Sequence, residues 1–181
     1  MRKRALILAL LLMAPSAGFA AGPSAEDKLF AELKKADSTE AAKPIEDKLT
    51  QLFRASGSPS VDLLMTRAGS ALGQADHATA RSLIDSVTKV APRYAEGWRM
   101  RARMQQAGGD DAGAMISLQK AIAANPRHFT AMTELGEMLE DYGDKPGALK
   151  LYRRVLALDP QLHLAAERAK ALTKEVEGQG I

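Results

Sequence analysis

The chain has 181 residues, of which 46% are hydrophobic, 26% are charged and only 4% are aromatic. This composition is typical of a globular protein, and the shortage of aromatic residues favours helices over a β-sandwich or barrel. The chain contains no cysteine. Disulfide scaffolds, Cys-ligated metal centres, cysteine nucleophiles and a lipid-modified N-terminal cysteine are therefore excluded.

The first 20 residues have the pattern of a secretory signal peptide. Basic residues at 2–4 precede an apolar run over 5–14, and small residues stand before a cleavage position after Ala20. A run of this length is too short to cross a bilayer, which takes about 20 apolar residues. We expect a periplasmic or secreted protein with its signal cleaved near Ala20. An uncleaved N-terminal anchor is the alternative.

The formal net charge of +3 arises from this segment, which carries three basic and no acidic residues. The remaining chain holds 22 basic and 22 acidic residues. Nucleic-acid binding depends on an excess of basic residues, so the balanced charge gives no support for a nucleic-acid partner.

Prolines recur every 34 residues in the rest of the chain, at Pro92, Pro126 and Pro160. Proline is rare here, with 8 residues in all, so chance does not account for two repetitions of one spacing. The same register aligns residue types in the blocks 61–94, 95–128 and 129–162. The aligned columns are Asp76, Asp110 and Asp144; Ala80, Ala114 and Ala148; Ala68, Ala102 and Gly136; and Ile84, Leu118 and Tyr152.

Each block predicts two helices joined by a tight turn. In the second half of the third block, apolar residues from Ala148 to Leu158 recur at helical spacing. Gly143 and Asp144 predict a chain reversal followed by the N-cap of this helix. The residue before Pro160 disfavours the helical conformation and ends it. A helix pair of this kind buries its apolar stripe only by stacking on neighbouring pairs.

This pattern resembles the tetratricopeptide repeat family over 102 residues. A period of 34 with Trp98, Leu135-Gly136, an Ala-x3-large apolar pair and a closing proline is that family's signature. Arg67 and Arg101 depart from it, since they stand where the motif has leucine. The resemblance implies an all-α, right-handed superhelical solenoid of helix hairpins with three repeats and a concave inner groove.

Shorter amphipathic segments flank the three blocks. Helices predicted over 26–36 and 43–55 form a degenerate hairpin within residues 21–60, which lies before the first repeat and ends in a Ser/Gly/Pro linker. Residues 163–181 predict a single solvating helix and a tail. We expect both segments to act as caps of the solenoid.

No catalytic, metal or cofactor site is expected, and the chain is not predicted to be an enzyme. The three histidines, His77, His128 and His163, lack metal-ligand spacing and are interpreted as surface residues. Several carboxylates share one predicted helix and are interpreted as a solvated face. They are Glu134, Glu137, Glu140 and Asp141.

The resemblance implies that positions 2, 5, 9 and 12 of each repeat's first helix line the groove. These positions are partly apolar in the first repeat, basic in the second and acidic in the third. They are Asp62, Met65, Gly69 and Leu72; Glu96, Arg99, Arg103 and Gln106; and Thr130, Thr133, Glu137 and Glu140.

Arg99 and Arg103 lie one helical turn apart and suit a carboxylate-bearing peptide. The alternative is that the arginines pair with Glu96 along the helix surface. The Lys and Asn residues by which some members of the family clamp a chaperone tail are absent from the corresponding positions, so that binding mode is not expected.

The leading functional hypothesis is an exported, non-enzymatic adaptor or scaffold that binds a peptide or helix of another cell-envelope protein in its groove. The alternative is a structural subunit of an envelope assembly or biogenesis complex whose groove is permanently occupied. Both predict a protein or peptide partner, no nucleic acid and no stable membrane insertion once the signal is cleaved.

Overall fold

A computed structural model describes residues 23–178, and the predicted signal segment lies outside them. Across this range the chain forms nine α-helices and no strand, which confirms the all-helical prediction. The helices are α1 Ala25–Leu33, α2 Thr39–Arg54, α3 Pro59–Gly73, α4 His77–Val90, α5 Ala95–Ala107, α6 Asp111–Ala124, α7 Phe129–Asp141, α8 Lys145–Leu158 and α9 His163–Val176. Among these helices none is both long and apolar enough to span a bilayer.

Three helix hairpins, α3–α4, α5–α6 and α7–α8, stack in chain order, and α9 packs on α8. The aspartate column begins the second helix of each hairpin. Asp76, Asp110 and Asp144 each accept a hydrogen bond from the backbone N–H three residues on, at 2.9–3.0 Å. This contact satisfies one of the free N–H groups at the helix start and confirms the predicted N-caps.

The residue before each of these caps has a positive φ: 79° at Gly109, 83° at Gly143 and 58° at Ala75. Glycine adopts this left-handed conformation without steric cost, but the Cβ of alanine is crowded there. The turn of the first hairpin is therefore strained where the other two are not.

The N-terminal hairpin, α1–α2, does not lie where the sequence order suggests. It folds back across the N-terminal ends of α5, α7 and α9, which belong to or follow the later repeats. The Tyr94 hydroxyl donates to the Arg54 carbonyl at 2.7 Å. The Phe53 ring stacks on His128 at 4.6 Å. Gln161 Nε2 donates to the Ala36 carbonyl at 3.0 Å.

An aromatic cluster fixes this docking. Phe30 and Phe53 from the hairpin meet Phe129, the first residue of α7, at ring-centroid distances of 6.4 and 5.7 Å. Arg127 contributes from the preceding turn, since its guanidinium lies over Phe30 and its NH1 bonds Asp27 Oδ1 at 2.7 Å. The hairpin is thus part of the hydrophobic core of the later repeats.

Candidate functional site

The residues predicted to line the groove divide into a covered set and an open set. The covered set, Glu96, Arg99 and Thr133, lies near the N-terminal ends of α5 and α7 and is at most 8% exposed. Apart from Thr130, which is at the start of α7, the open set lies further along the same helices or in α3. Its exposed members are Gly69, Arg103 and Gln106, and its half-buried members are Asp62, Met65, Leu72, Thr130, Glu137 and Glu140.

Arg99 is bound by two carboxylates of the chain itself. Its Nε and NH2 donate to the two Glu96 oxygens at 2.7 Å each, and its NH1 donates to Glu134 Oε1 at 2.6 Å. The side chain is only 9% exposed. The pairing with Glu96 that the sequence offered as the alternative is the arrangement found. The contact with Glu134 also ties α5 to α7, so Arg99 has no open face for a ligand.

The pKa values of the two carboxyl groups in this cluster are shifted in opposite directions. Burial acts to raise the pKa of Glu96, but the hydrogen bonds from Arg99 and His128 outweigh it and hold that pKa at about 2. Burial raises the pKa of Glu134, because Arg99 compensates for only part of the desolvation. One oxygen of Glu134 is buried without a hydrogen-bond partner in residues 23–178. Glu96 is therefore held in its charged form more firmly than Glu134.

His128 is only 1% exposed, so the predicted surface position of this histidine is wrong. It is the N-cap of α7, and its Nδ1 accepts from the backbone N–H of Ala131 at 3.3 Å. Its Nε2 therefore carries the hydrogen that faces Glu96 Oε2 at 3.2 Å. The other two histidines, His77 and His163, are exposed.

A signal for the burial of His128 was present in the sequence. The last position of each block is a large residue, Tyr94, His128 and Leu162, and all three are N-caps of the following helix. A bulky residue that recurs directly before the first helix of each repeat indicates that its side chain packs against the turn between repeats.

The open inner wall carries one exposed arginine. Arg103 forms no ion pair within the part of the chain that the structure describes, although its charge acts on Glu134. Two half-buried carboxylates lie beyond it on α7. Glu140 accepts from the Tyr152 hydroxyl at 3.2 Å and from Arg168 at 3.4 Å, and burial raises the pKa of Glu137. Met65 and Leu72 supply partly buried apolar surface from α3.

The acidic residues of α7 do not form a metal centre. Over residues 23–178, no group of three or more His, Asp or Glu side chains is arranged to hold an ion. Glu134 and Glu140 each bind an arginine instead.

A second concavity of about 800 Å³ lies outside the predicted groove. It opens between the end of α2 and the two turns before α5 and α7, and Phe53, Tyr94, Pro92, Pro126 and Arg127 are among the residues that line it. This cleft was not predictable from the sequence, because it exists only where the N-terminal hairpin docks on those turns.

Comparison with known proteins agrees with the repeat architecture. A family model described as tetratricopeptide repeat matches residues 65–126 and 117–163. A TPR repeat-containing protein of Rhizobium etli is 28% identical over 152 residues, which cover 84% of this chain and 74% of that protein.

Solved structures share the fold. The crystal structure of MamA has a TM-score of 0.58 at 19% identity and covers 87% of this chain and 85% of its own. The first TPR of Spaghetti (RPAP3), bound to an HSP90 peptide, has a TM-score of 0.58 at 19% identity, with 65% of this chain and 93% of that chain covered. Arrays of this fold present a surface for protein–protein interaction. With its family match over more than half its length, the chain belongs to the tetratricopeptide repeat family.

Proposed function

We propose that this chain is an exported, non-enzymatic adaptor that holds a segment of another cell-envelope protein against the open part of its inner wall. One observation carries the proposal. Arg103 remains exposed on this wall, whereas Arg99, one turn earlier, is buried between Glu96 and Glu134. Of the two arginines at the predicted groove positions, both within the described residues, only Arg103 is therefore accessible to a ligand.

This geometry favours a particular kind of segment. A carboxylate opposite Arg103 would form a charge-assisted hydrogen bond, and an apolar side chain would pack on Met65 and Leu72. The half-buried Glu137 and Glu140 would repel further acidic groups at the α7 side. The partner segment accordingly has one acidic residue beside an apolar one rather than an acidic run. Because the contact with Arg103 is exposed, binding weakens as the salt concentration rises.

Export is supported by the basic and apolar pattern of residues 1–20. Intact-mass measurement of the protein recovered from the extracytoplasmic fraction should give a chain that begins near Ala21. A chain that retains Met1 and sediments with membranes would support the anchored alternative instead.

An adaptor has an empty groove when its partner is absent, whereas the groove of an obligate assembly subunit is always occupied. An adaptor purified without its partner should remain soluble and unfold cooperatively. Aggregation of the purified chain without a partner would favour the alternative, in which another subunit occupies the groove permanently.

Two glutamines allow a matched test of the binding surface. Gln106 is exposed on the inner wall at the end of α5, and Gln119 is exposed on α6, the second helix of the same hairpin. A photo-crosslinking amino acid placed at either position in the exporting cell should capture a partner from position 106 and not from position 119. A charge reversal, Arg103→Glu, should abolish the crosslink from position 106. The same reversal at Arg67, which is exposed on α3 outside the groove positions, should leave it intact.

Equal capture from both glutamines would show that the inner wall is not the binding surface. Loss of capture in both charge-reversal variants would show that the effect comes from net charge and not from Arg103. Circular dichroism of each variant checks that the helices remain folded.

A further inference from the structure

Two carboxyl groups face each other where the N-terminal hairpin meets the last inter-repeat turn. Glu46 of α2 is 9% exposed, and Asp159, the C-cap of α8, is fully buried. The two side chains are within reach of a hydrogen bond, and the charge of Asp159 acts on Glu46. Asp159 Oδ1 accepts from the Gln161 backbone N–H at 3.1 Å, whereas Oδ2 is buried and has no donor among residues 23–178.

The surroundings do little to neutralise this pair. On α2, Lys43 lies 3.9 Å from Glu46, but the lysine is 62% exposed and binds Asp47 more closely, at 2.7 Å. Asp47 adds another negative charge near Glu46. On the array side, Asp159 faces only the backbone N–H groups of Gln161 and Leu162, with no cation against it in the described residues. Two buried anions in this position would repel each other.

Protonation removes this repulsion. Burial raises the pKa of Asp159 and outweighs the hydrogen bonds from Glu46 and the Gln161 backbone, which act to lower it. Burial, together with the charge of Asp159, raises the pKa of Glu46. When the hairpin leaves the array, both carboxyls return to water and to their ordinary pKa values. The docked state therefore binds a proton more tightly than the undocked state. Docking is strongest below the ordinary carboxyl pKa and weakens as the pH rises through the raised values.

We propose that Glu46 and Asp159 form a protonation-dependent latch that holds the hairpin α1–α2 on the N-terminal ends of α5, α7 and α9. A proton shared by the two carboxyls supplies the missing hydrogen bond at Asp159 Oδ2. Its loss loosens the hairpin and uncovers the aromatic surface of His128 and Phe129. This device goes beyond the proposed function, because it operates within the chain and needs no partner.

The other charged contacts of the hairpin have different partners. The carboxyl of Asp27, which binds Arg127, has its pKa lowered to about 2 by hydrogen bonds from Ser24 and Arg127. Glu26 lies beside the same arginine, at 3.0 Å from its Nε. His128 belongs to the interface through Phe53 and is unchanged by a substitution at Asp159. A variant of Asp159 therefore isolates the carboxyl pair.

An asparagine already occupies the position equivalent to Asp159 in the preceding repeat. Asn125 stands one repeat before Asp159, and its Oδ1 accepts from the backbone N–H of Arg127 at 2.9 Å, as Asp159 does from Gln161. Asp159→Asn should keep this turn while its amide donates to Glu46 at every pH. It should leave the latch permanently closed.

Amide hydrogen exchange of the full purified chain tests the latch between about pH 4.5 and pH 8. Each exchange rate is corrected for the intrinsic pH dependence of exchange and compared with the rates of amides in α8. In the wild type, protection of α2 should fall with rising pH, by up to about tenfold for each unit by which docking raises the pKa of the pair. Asp159→Asn should abolish this fall and be the better protected at pH 8. Glu40→Gln, which removes an exposed carboxylate of the same helix, should follow the wild type.

A flat wild-type profile would overturn the latch, as would equal protection in the wild type and Asp159→Asn at pH 8. If Asp159→Asn does not fold, Glu46→Gln tests the same pair from the other helix and should also abolish the fall. These readouts involve no partner, so failure of the crosslinking test at position 106 leaves their interpretation unchanged.

Discussion

The Tyr152 ring occupies the space that a side chain on Gly136 would need. A Cβ on Gly136 would lie 2.9 Å from Tyr152 Cε1 and 3.1 Å from Cζ, and the ring is fully buried. The two earlier repeats pair an alanine with an aliphatic residue at these columns, as with Ala102 and Leu118. In the third repeat, the smaller residue Gly136 therefore makes room for the larger residue Tyr152.

Gly136→Ala should destabilise the protein by about 1–3 kcal/mol, because the added Cβ would force the fully buried Tyr152 ring to shift. The double variant Gly136→Ala/Tyr152→Leu, which copies the second repeat, should recover part of this loss. Urea unfolding of both variants and of Tyr152→Leu alone gives the coupling energy. A single variant as stable as the wild type would show that the hairpin relaxes around the ring.

Ala75→Gly should stabilise the protein by about 0.5–1 kcal/mol. Ala75 has a φ of 58°, where glycine stands in the other two repeats, and relief of its strained backbone exceeds the added entropy of the unfolded chain. The melting temperature measures the gain. Ala78→Gly, in the first turn of α4, is the control and should be destabilising.

Ala114→Leu should cost about 1–3 kcal/mol by overpacking the second hairpin, because Ala114 is fully buried between its helices. Ala112→Leu places the same side chain at an exposed position of α6 and should change stability little. Thermal unfolding of the pair distinguishes the packing effect from helix propensity. An unchanged melting temperature for Ala114→Leu would mean that the alanine column is not an interhelical contact.

Arg99→Met should cost about 3–5 kcal/mol, because it leaves Glu96 and Glu134 buried without their shared cation. Arg103→Met, one turn further along an exposed face, should cost less than about 0.5 kcal/mol. Denaturant unfolding measures both. Equal effects would place Arg99 and Arg103 in similar environments, contrary to the burial found here.

The free energy of unfolding should depend on the protonation of Glu96 at acid pH. Its pKa of about 2 lies below the ordinary value of 4.5, so the folded state binds this proton less readily than the unfolded state. Glu96 therefore adds stability above pH 4.5, and this contribution is lost as the pH falls from 4.5 through about 2. The difference in unfolding free energy between wild type and Glu96→Gln should be constant above pH 4.5 and shrink below it. A difference that persists unchanged to about pH 3 would contradict the assignment.

The periodic columns were sufficient to predict the helices of the array, because capping and helix termination are local. Asp144 caps its own helix, and the residue before Pro160 ends it, whatever surrounds them. The docking of the N-terminal hairpin was not predictable in this way. The stripe of Leu29, Phe30 and Leu33 indicates that a face is buried but contains no information on which surface covers it.

The candidate site was predictable only in part. The ion pair of Glu96 and Arg99 follows from their spacing on one helix. The contact between Arg99 and Glu134 joins helices of successive repeats, and an opposite charge about one period later was the signal that could have found it. The spacing along α5 does not distinguish the buried Arg99 from the exposed Arg103, so only the three-dimensional structure reveals the difference.

The position of the N-terminal hairpin also fixes the order in which the chain can fold. The hydrogen bond between Gln161 and Ala36 spans 125 residues, whereas each repeat closes its own contacts within a few tens of residues. A chain made from its N-terminus produces α1 and α2 first, yet the surface that receives them is complete only after α8 has formed. Phe30 and Phe53 lack their partners on the array until Arg127, His128 and Phe129 have been made, and at this stage association with other chains competes most strongly with folding.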